Sequence, residues 1–268
     1  MTKGVSVYGQ VSILAKETPS WWPPKVQDFI LPGWFYPWVT KFTVMVWIAV
    51  AIVLVFFVAG YRNPKIVPGR WQWMTESVYS FGRDGIGQDI IGHEGVRFAP
   101  YLVSLLSFIG VMNVFGILPL LQIAPTAHIA IPVALTAVSY VVYIYLGIQR
   151  HGFAKFMKNM TVPAGAPWYI LPLVIPLEFL SNFLIRPFTL SVRLFANMFA
   201  GHFILLVFTL GGFVLLNVGG VAFVPLSVVS WLLAIAITFL ELLVALLQAY
   251  VFAILNAVYI QGSLAEEH

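Results

Sequence analysis

Five long apolar stretches constrain the fold more than any other feature of this sequence. They cover residues 42–60, 98–121, 129–149, 177–216 and 221–262. About 20 apolar residues suffice for a helix to cross the hydrocarbon core of a bilayer. Only 9% of the residues are charged, against roughly 25% in soluble domains. We therefore predict an all-α membrane protein with about five transmembrane helices.

The regions before and between the first two stretches are too polar to cross a membrane. Residues 1–41, rich in tryptophan and proline, predict a lead-in on the outer side, and residues 42–268 a single membrane domain. Within 70–84, the apolar residues recur at helical spacing with polar residues around the rest of the turn. This pattern predicts an amphipathic helix on the membrane surface, with an ordinary surface loop as the alternative.

The last two apolar stretches are too long for simple spans. Each has roughly 40 residues, or about 60 Å as an α-helix, twice the ~30 Å hydrocarbon core. Each is either two spans or one steeply tilted helix. No charged or broken loop divides either stretch, and a glycine-rich turn, "NVGGVA", separates them. We favour a long, tilted antiparallel hairpin.

The basic residues predict the orientation. They fall after the first and third stretches: Arg62, Lys65, Arg70, Arg83, Arg97, Arg150, Lys155 and Lys158. The loops at 122–128 and 211–221 contain no lysine or arginine. Positive residues favour the inner side, so we expect the N-terminus outside and the C-terminus in the cytoplasm (or matrix), although the lead-in also carries lysines. The scattered bases do not indicate nucleic-acid binding.

Polar residues recur within the hairpin. The first helix carries Glu178, Asn182, Arg186, Arg193, Asn197 and His202, and the second carries Glu241, Gln248 and Asn256. Residues that lie level in an antiparallel hairpin have a constant index sum. Arg193 is therefore expected level with Gln248, and His202 level with Glu241. The two layers are about 13 Å apart along the axis.

Ionisable groups within the membrane are costly and usually functional. Asn197 shares the face of Arg193, whereas His202 lies about half a turn round the helix. A voltage sensor needs several arginines at regular spacing, a phosphate site needs a glycine-rich loop, and a metal cage needs more ligands than these. What remains is a permanent cation beside groups that exchange protons. Such a cation repels a proton and attracts a carboxylate, which points to a carboxylate on another subunit.

Structural alternatives stay open for several of these residues. The asparagines are also suited to hydrogen bonds between helices. Arg186 is able to extend to the cytoplasmic interface, and the His202–Glu241 pair to act as a structural ion pair.

Two segments of the hairpin, "RPFTLSVRLFANMFAGHF" and "ELLVALLQAYVFAILNAVYI", resemble the signature segments of the subunit a family of F-type ATP synthases. "MNVFGILPL" at 112–120 is similar to the family's third-helix motif. The resemblance implies a membrane stator whose tilted hairpin embraces a ring of c subunits. It also implies peripheral-stalk b subunits, the rest of the synthase and the lipid bilayer as partners. It implies no cofactor, no metal and no catalysis by the chain on its own.

The resemblance carries over to individual residues. Arg193 matches the stator arginine that faces a ring carboxylate, and His202, Glu241, Gln248, Asn197 and Glu178 form the implied proton path. Asn113, Asn182 and Arg186 complete the candidate set. Many bacterial members carry the acid on the first helix and the histidine on the second, so His202 and Glu241 are exchanged here.

Location, coupling ion and function class follow from the resemblance. We expect a bacterial plasma membrane, with an organellar inner membrane as the alternative. Protons are the default coupling ion, and sodium remains open. A secondary transporter, or an antiporter-like subunit of a respiratory complex, is the alternative function. That class often contains inverted repeats, and we find no internal repeat in this sequence.

Overall fold

The computed structural model describes residues 40–62, 64–118, 124–162, 169–219 and 223–264. The predicted lead-in at 1–41 thus lies almost wholly outside the described residues. The described segments are helical and contain no strand. Five helices among them are long and apolar enough to cross a membrane, which confirms the predicted all-α membrane fold.

Eight α-helices follow one another along the described chain. They are α1 (Lys41–Tyr61), α2 (Arg70–Gly82), α3 (Gly95–Phe115), α4 (Ala130–His151), α5 (Phe153–Thr161), α6 (Leu171–Leu180), α7 (Arg186–Gly219) and α8 (Val224–Leu264). A π-helical segment, Arg83–Ile91, continues α2, and a second, Ser181–Ile185, joins α6 to α7. A short 3₁₀ turn, Pro125–Ala127, precedes α4.

Three helix ends differ from the sequence prediction by six residues or more. The surface helix begins at Arg70 as predicted but continues to Ile91 in π-helical geometry. The second span ends at Phe115 rather than at 121, because the Gly116 N–H bonds to the Asn113 carbonyl three residues back and the helix tightens and stops. The fourth span begins at Leu171, six residues earlier than predicted from 177. A proline in the first turn of this helix is tolerated because its missing N–H has no helical partner there.

The π-helical joint before α7 compensates for Pro187. The Arg186 N–H bonds to the Ser181 carbonyl, five residues back. In this register the next donor would be Pro187, which has no N–H. The carbonyl of Asn182 is left without a helical donor, and it accepts the hydroxyl of Tyr140 at 3.0 Å. A side chain of α4 therefore stabilises the joint between α6 and α7.

Helices α7 and α8 pack as the predicted antiparallel hairpin. Near the turn, Ser227 Oγ donates to the Gly212 carbonyl and Ser230 Oγ to the Phe208 carbonyl, both at 2.6 Å. Further along, the apolar core joins α7 and α8 to α1 and α3 through residues such as Met45, Ile109, Leu194 and Phe252. At 34 and 41 residues, the two helices are about 51 and 61 Å long. Both exceed the hydrocarbon thickness.

Cysteine labelling tests the predicted orientation, because the chain contains no cysteine of its own. Ala130 and Asn217 are exposed near the ends expected outside, and Lys155 is exposed near the end expected inside. We expect Ala130→Cys and Asn217→Cys to react with a membrane-impermeant maleimide added outside. Lys155→Cys should react only in inverted vesicles. Labelling of Ala130→Cys and Lys155→Cys from the same side would contradict the orientation.

Candidate functional site

One polar layer lies between α7 and α8, next to the segment that precedes α4. His202 and Glu241 are 5% and 4% exposed, and Nδ1 of His202 is in ion-pair contact with Oε1 of Glu241. Neither of these two atoms has a hydrogen-bond partner in the described chain. On the other side of the ring, Nε2 accepts the backbone N–H of Ala124 at 3.0 Å. The pairing expected from the index sums is thus seen in the structure.

Two glycines make room for this layer. A methyl group at Gly116 would overlap Cε1 and Nε2 of the His202 ring. At Gly201 a Cβ would lie 3.0 Å from Oε1 of Glu241. The histidine and the glutamate therefore fill a space that larger residues at these two positions would occupy.

Asn113 connects the same layer to the segment before α4. Its Nδ2 donates to the Ala245 carbonyl on α8 at 3.1 Å, and its Oδ1 accepts the Thr126 hydroxyl at 2.7 Å. Asn113, Thr126 and Ala124 are all 0% exposed. The segment expected as an outer loop therefore dips into the bundle, and Asn113 holds it there.

The second polar layer, which contains Arg193, Asn197 and Gln248, reaches the surface of the helix bundle. Arg193 and Asn197 are exposed on α7, one turn apart. Asn197 Nδ2 donates to Oε1 of Gln248 at 2.8 Å, so Asn197 rather than Arg193 is the hydrogen-bond partner of the glutamine. Within the described chain, the guanidinium of Arg193 makes no hydrogen bond or ion pair. It lies close enough to Tyr259 for an electrostatic interaction.

The surface around Arg193 is apolar and partly flat. Ala196, Ala200 and Ile204 are exposed on the same side of α7, and Leu243 and Leu247 are among the exposed side chains of α8. Small residues on a membrane helix allow another helix to approach closely. Because a charge facing lipid is costly, this surface is suited to a partner helix with a polar group opposite the guanidinium.

A cavity of about 220 Å³ opens near the expected cytoplasmic end of the bundle. Its lining residues are Tyr143, Met160, Glu178, Asn182, Arg186, Tyr259 and Gly262. Asn182 Nδ2 donates to Oε2 of Glu178 at 3.2 Å and to the Met160 carbonyl at 2.6 Å. Since one water needs about 10–15 Å³ of such space, the cavity has room for a chain of waters.

A second, smaller cavity of about 10 Å³ continues from the first. The two share Tyr143, Arg186 and Tyr259, and the smaller one reaches Leu190. Leu190 lies one helical turn before Arg193 on α7. The buried hydroxyl of Thr136, which has no hydrogen-bond partner in the described chain, also lines it. The two cavities together reach from Glu178 to Leu190, one turn short of Arg193.

Arg186 lies between this space and the exposed surface. It is exposed, and its guanidinium lies 5.7 Å from the centre of the Tyr259 ring. A cation over an aromatic face is stabilised by about 0.5–1 kcal/mol at exposed sites. Arg186 therefore has an aromatic partner, whereas among the described residues Arg193 has the weaker electrostatic interaction with Tyr259.

Four polar groups of this region were not predicted from the sequence: the Ala124 amide, Thr126, Tyr140 and Tyr259. The amide carries no sequence signal, because any residue other than proline supplies one. The other three are polar-tipped side chains in apolar helices or loops, and helical spacing alone did not separate them from core residues.

Comparisons with known proteins agree with the hairpin motifs. A family model described as ATP synthase A chain matches residues 43–261. ATP synthase subunit a of Nocardioides sp. is 42% identical over 259 residues, which cover 92% of this chain and 94% of the relative. The protein of the same name from Streptomyces lividans is 45% identical over 218 residues, covering 81% and 76%. That of Pseudarthrobacter chlorophenolicus is 38% identical over 265 residues, covering 96% and 99%.

Gly116, which directly follows α3, and Gly110 within α3 provide a matched test of the His202 packing. Gly116→Ala should displace the imidazole, and overpacking of this kind typically costs about 1–3 kcal/mol. At Gly110 the nearest atom to an added Cβ is that of Ala249, at 3.8 Å, so Gly110→Ala should be near neutral. The measurement is the temperature of heat-induced aggregation in detergent. Equal temperatures for the two variants would contradict the close packing of His202 on Gly116.

Proposed function

The chain belongs to the ATP synthase A chain family, and from this premise we propose that it provides two offset half-channels for protons, separated by Arg193. The chain is a multi-pass membrane subunit of the stator of an F-type ATP synthase. The ring of c subunits in that complex would carry the moving carboxylates, and b subunits of the peripheral stalk would hold the chain in place. The location proposed is the plasma membrane of a bacterium, with the N-terminus outside and the C-terminus in the cytoplasm.

The observation that carries this proposal is the exposed guanidinium of Arg193 on an apolar helix face. Arginine does not lose its proton in a protein, so the charge persists at every step. A carboxylate at 4 Å would be attracted by about 4 kcal/mol at an effective dielectric constant near 20. Desolvation of the two groups reduces this figure. An attraction of this size favours release of the proton from a carboxyl group that passes Arg193.

The inner half-channel is supported by the connected cavities beside α6 and α8. The polar lining of the larger cavity includes Glu178 and Asn182, and the smaller cavity ends at Leu190, one turn before Arg193. A proton released from a passing carboxyl group would leave by this route toward the cytoplasm during ATP synthesis.

The outer half-channel is supported by the buried His202–Glu241 layer. It lies nine residues from Arg193 along α7, about 13 Å toward the expected outer side. His202 is buried while Arg193 is exposed, so the two groups lie on different faces of the helix. Two routes that meet the ring at different places, with a fixed cation between them, would force a proton to travel with the ring.

The chain itself would perform no ATP chemistry. Its contribution is the path and the charge, while nucleotide chemistry belongs to the rest of the complex. Membership of the family decides against the alternative interpretation as a secondary transporter or an antiporter-like subunit.

Substitutions at the two arginines test the separating role. Arg193→Ala should abolish ATP synthesis and allow a passive proton leak, because no charge then blocks the step between the routes. Arg193→Lys retains a charge but loses the planar fork and is able to deprotonate when buried, so synthesis should also fail. Arg186→Ala, at the cavity, should be much milder. ATP synthesis and passive proton conductance in reconstituted vesicles are the measurements, and near-normal synthesis by Arg193→Ala would refute the proposal.

A bulky residue at Gly262 tests the inner route without altering a titratable group. Gly262 lines the larger cavity, and no heavy atom lies within 4 Å of a Cβ built there. Gly262→Phe should fill the cavity and slow proton flux, while Gly262→Ala should have little effect. Gly69→Phe is the control, because Gly69 has equally open surroundings outside the cavity. The measurement is ATP-driven acidification of inverted vesicles at equal assembly. A normal rate for Gly262→Phe would exclude this cavity from the route.

A further inference from the structure

The two ring nitrogens of His202 have different partners, and this difference limits what the ring is able to do. A backbone amide is always a donor, so Nε2 must present a lone pair to the N–H of Ala124. In a neutral imidazole the proton is then on Nδ1. Nδ1 faces Oε1 of Glu241. The structure therefore specifies the tautomer of His202 as well as its position.

A chain of buried hydrogen bonds holds the Ala124 amide in place. Thr126 donates to Asn113, and Asn113 donates to the Ala245 carbonyl of α8, the helix that also carries Glu241. The Ala127 N–H closes the 3₁₀ turn by bonding to the Ala124 carbonyl at 3.0 Å. We call the Ala124 amide, Thr126 and Asn113 the outer clamp. It ties the segment before α4 to α8 on one side and to the imidazole on the other.

We propose that the outer clamp fixes His202 as a positioning residue, and that Glu241 is the group of this layer that exchanges protons with the outer half-channel. The proposal rests on the proposed function. A proton crosses an imidazole when one nitrogen accepts it as the other releases one. Nε2 cannot accept a proton while it is bonded to the amide, and breaking that bond would leave a buried N–H without a partner. The ring therefore orients the carboxylate, and no proton passes through it.

Asparagine and glutamine at position 202 each replace one ring nitrogen of the histidine. They therefore distinguish a positioning role for His202 from a proton relay through it. In the complete synthase, His202→Asn places an amide nitrogen near the position of Nδ1, and His202→Gln places one near Nε2. Loss or distortion of one hydrogen bond changes a rate by about tenfold or less, so His202→Asn should retain ATP-driven proton pumping within that range. His202→Gln should retain less. Glu241→Gln should lose about 100-fold or more, as expected when a proton-exchanging group is removed.

Nuclear magnetic resonance of ¹⁵N-labelled histidine reads the tautomer directly. The chain has 5 histidines, and the signals of His202 are those absent from the His202→Asn complex. We expect a protonated Nδ1 and an unprotonated Nε2. Thr126→Val removes the hydroxyl of the clamp and should yield a mixture of tautomers with reduced pumping. Thr126→Ser keeps the hydroxyl and should restore both. Thr209→Val is the control, because the hydroxyl of Thr209 donates to the Leu205 carbonyl of its own helix.

Two results would overturn the proposal: a protonated Nε2 in the unmodified complex, or a loss of about 100-fold or more in His202→Asn, the effect expected for a relay. If either is found while Arg193→Ala and Gly262→Phe behave as expected, the clamp fails and the proposed function stands. Normal synthesis by Arg193→Ala, in contrast, would refute the proposed function whatever the tautomer of His202.

Discussion

A permanent positive charge on an open face of an apolar helix is the constraint on which the rest of this structure depends. Arg193 is exposed and has no hydrogen bond or ion pair within the described chain. It cannot be neutralised by loss of a proton, and exposure to lipid would be costly. The surface that carries it is therefore incomplete without a partner. The small residues beside it, Ala196 and Ala200, would allow a partner helix to approach closely.

The other polar layer shows the opposite solution to the same problem. His202 and Glu241 are almost fully buried and are compensated by each other and by the Ala124 amide. A buried polar group is stable only when its partners are present. The His202–Glu241 layer is buried and has its partners within the chain, whereas the layer that contains Arg193 lies on the surface. The hairpin register, which aligns Glu241 with His202 and Gln248 with Asn197, produces both.

Much of the fold follows from the sequence, because each span is a long apolar run and the connections after the first and third spans are basic. The pairing of His202 with Glu241 follows from the antiparallel index sum alone. Details that depend on backbone groups do not. Neither the π-helical joint before Pro187 nor the entry of the Thr126 segment into the bundle has a periodic signal. The index sum placed Gln248 level with Arg193, but it does not specify side-chain direction, and a side-chain hydrogen bond joins Gln248 to Asn197, one turn away.

The proposed mechanism also gives a reason for the length of the hairpin. A proton path that must begin on one side, stop at a fixed charge and resume elsewhere needs polar groups spread along a helix without forming one continuous channel. About nine residues separate Arg193 from His202, two and a half turns of helix, and this rotation places them on different faces. The inner cavity approaches Arg193 from Glu178, and the buried pair approaches from the opposite end. In the proposed mechanism, the apolar surface between these polar groups would keep the two routes apart, and the moving partner would connect them.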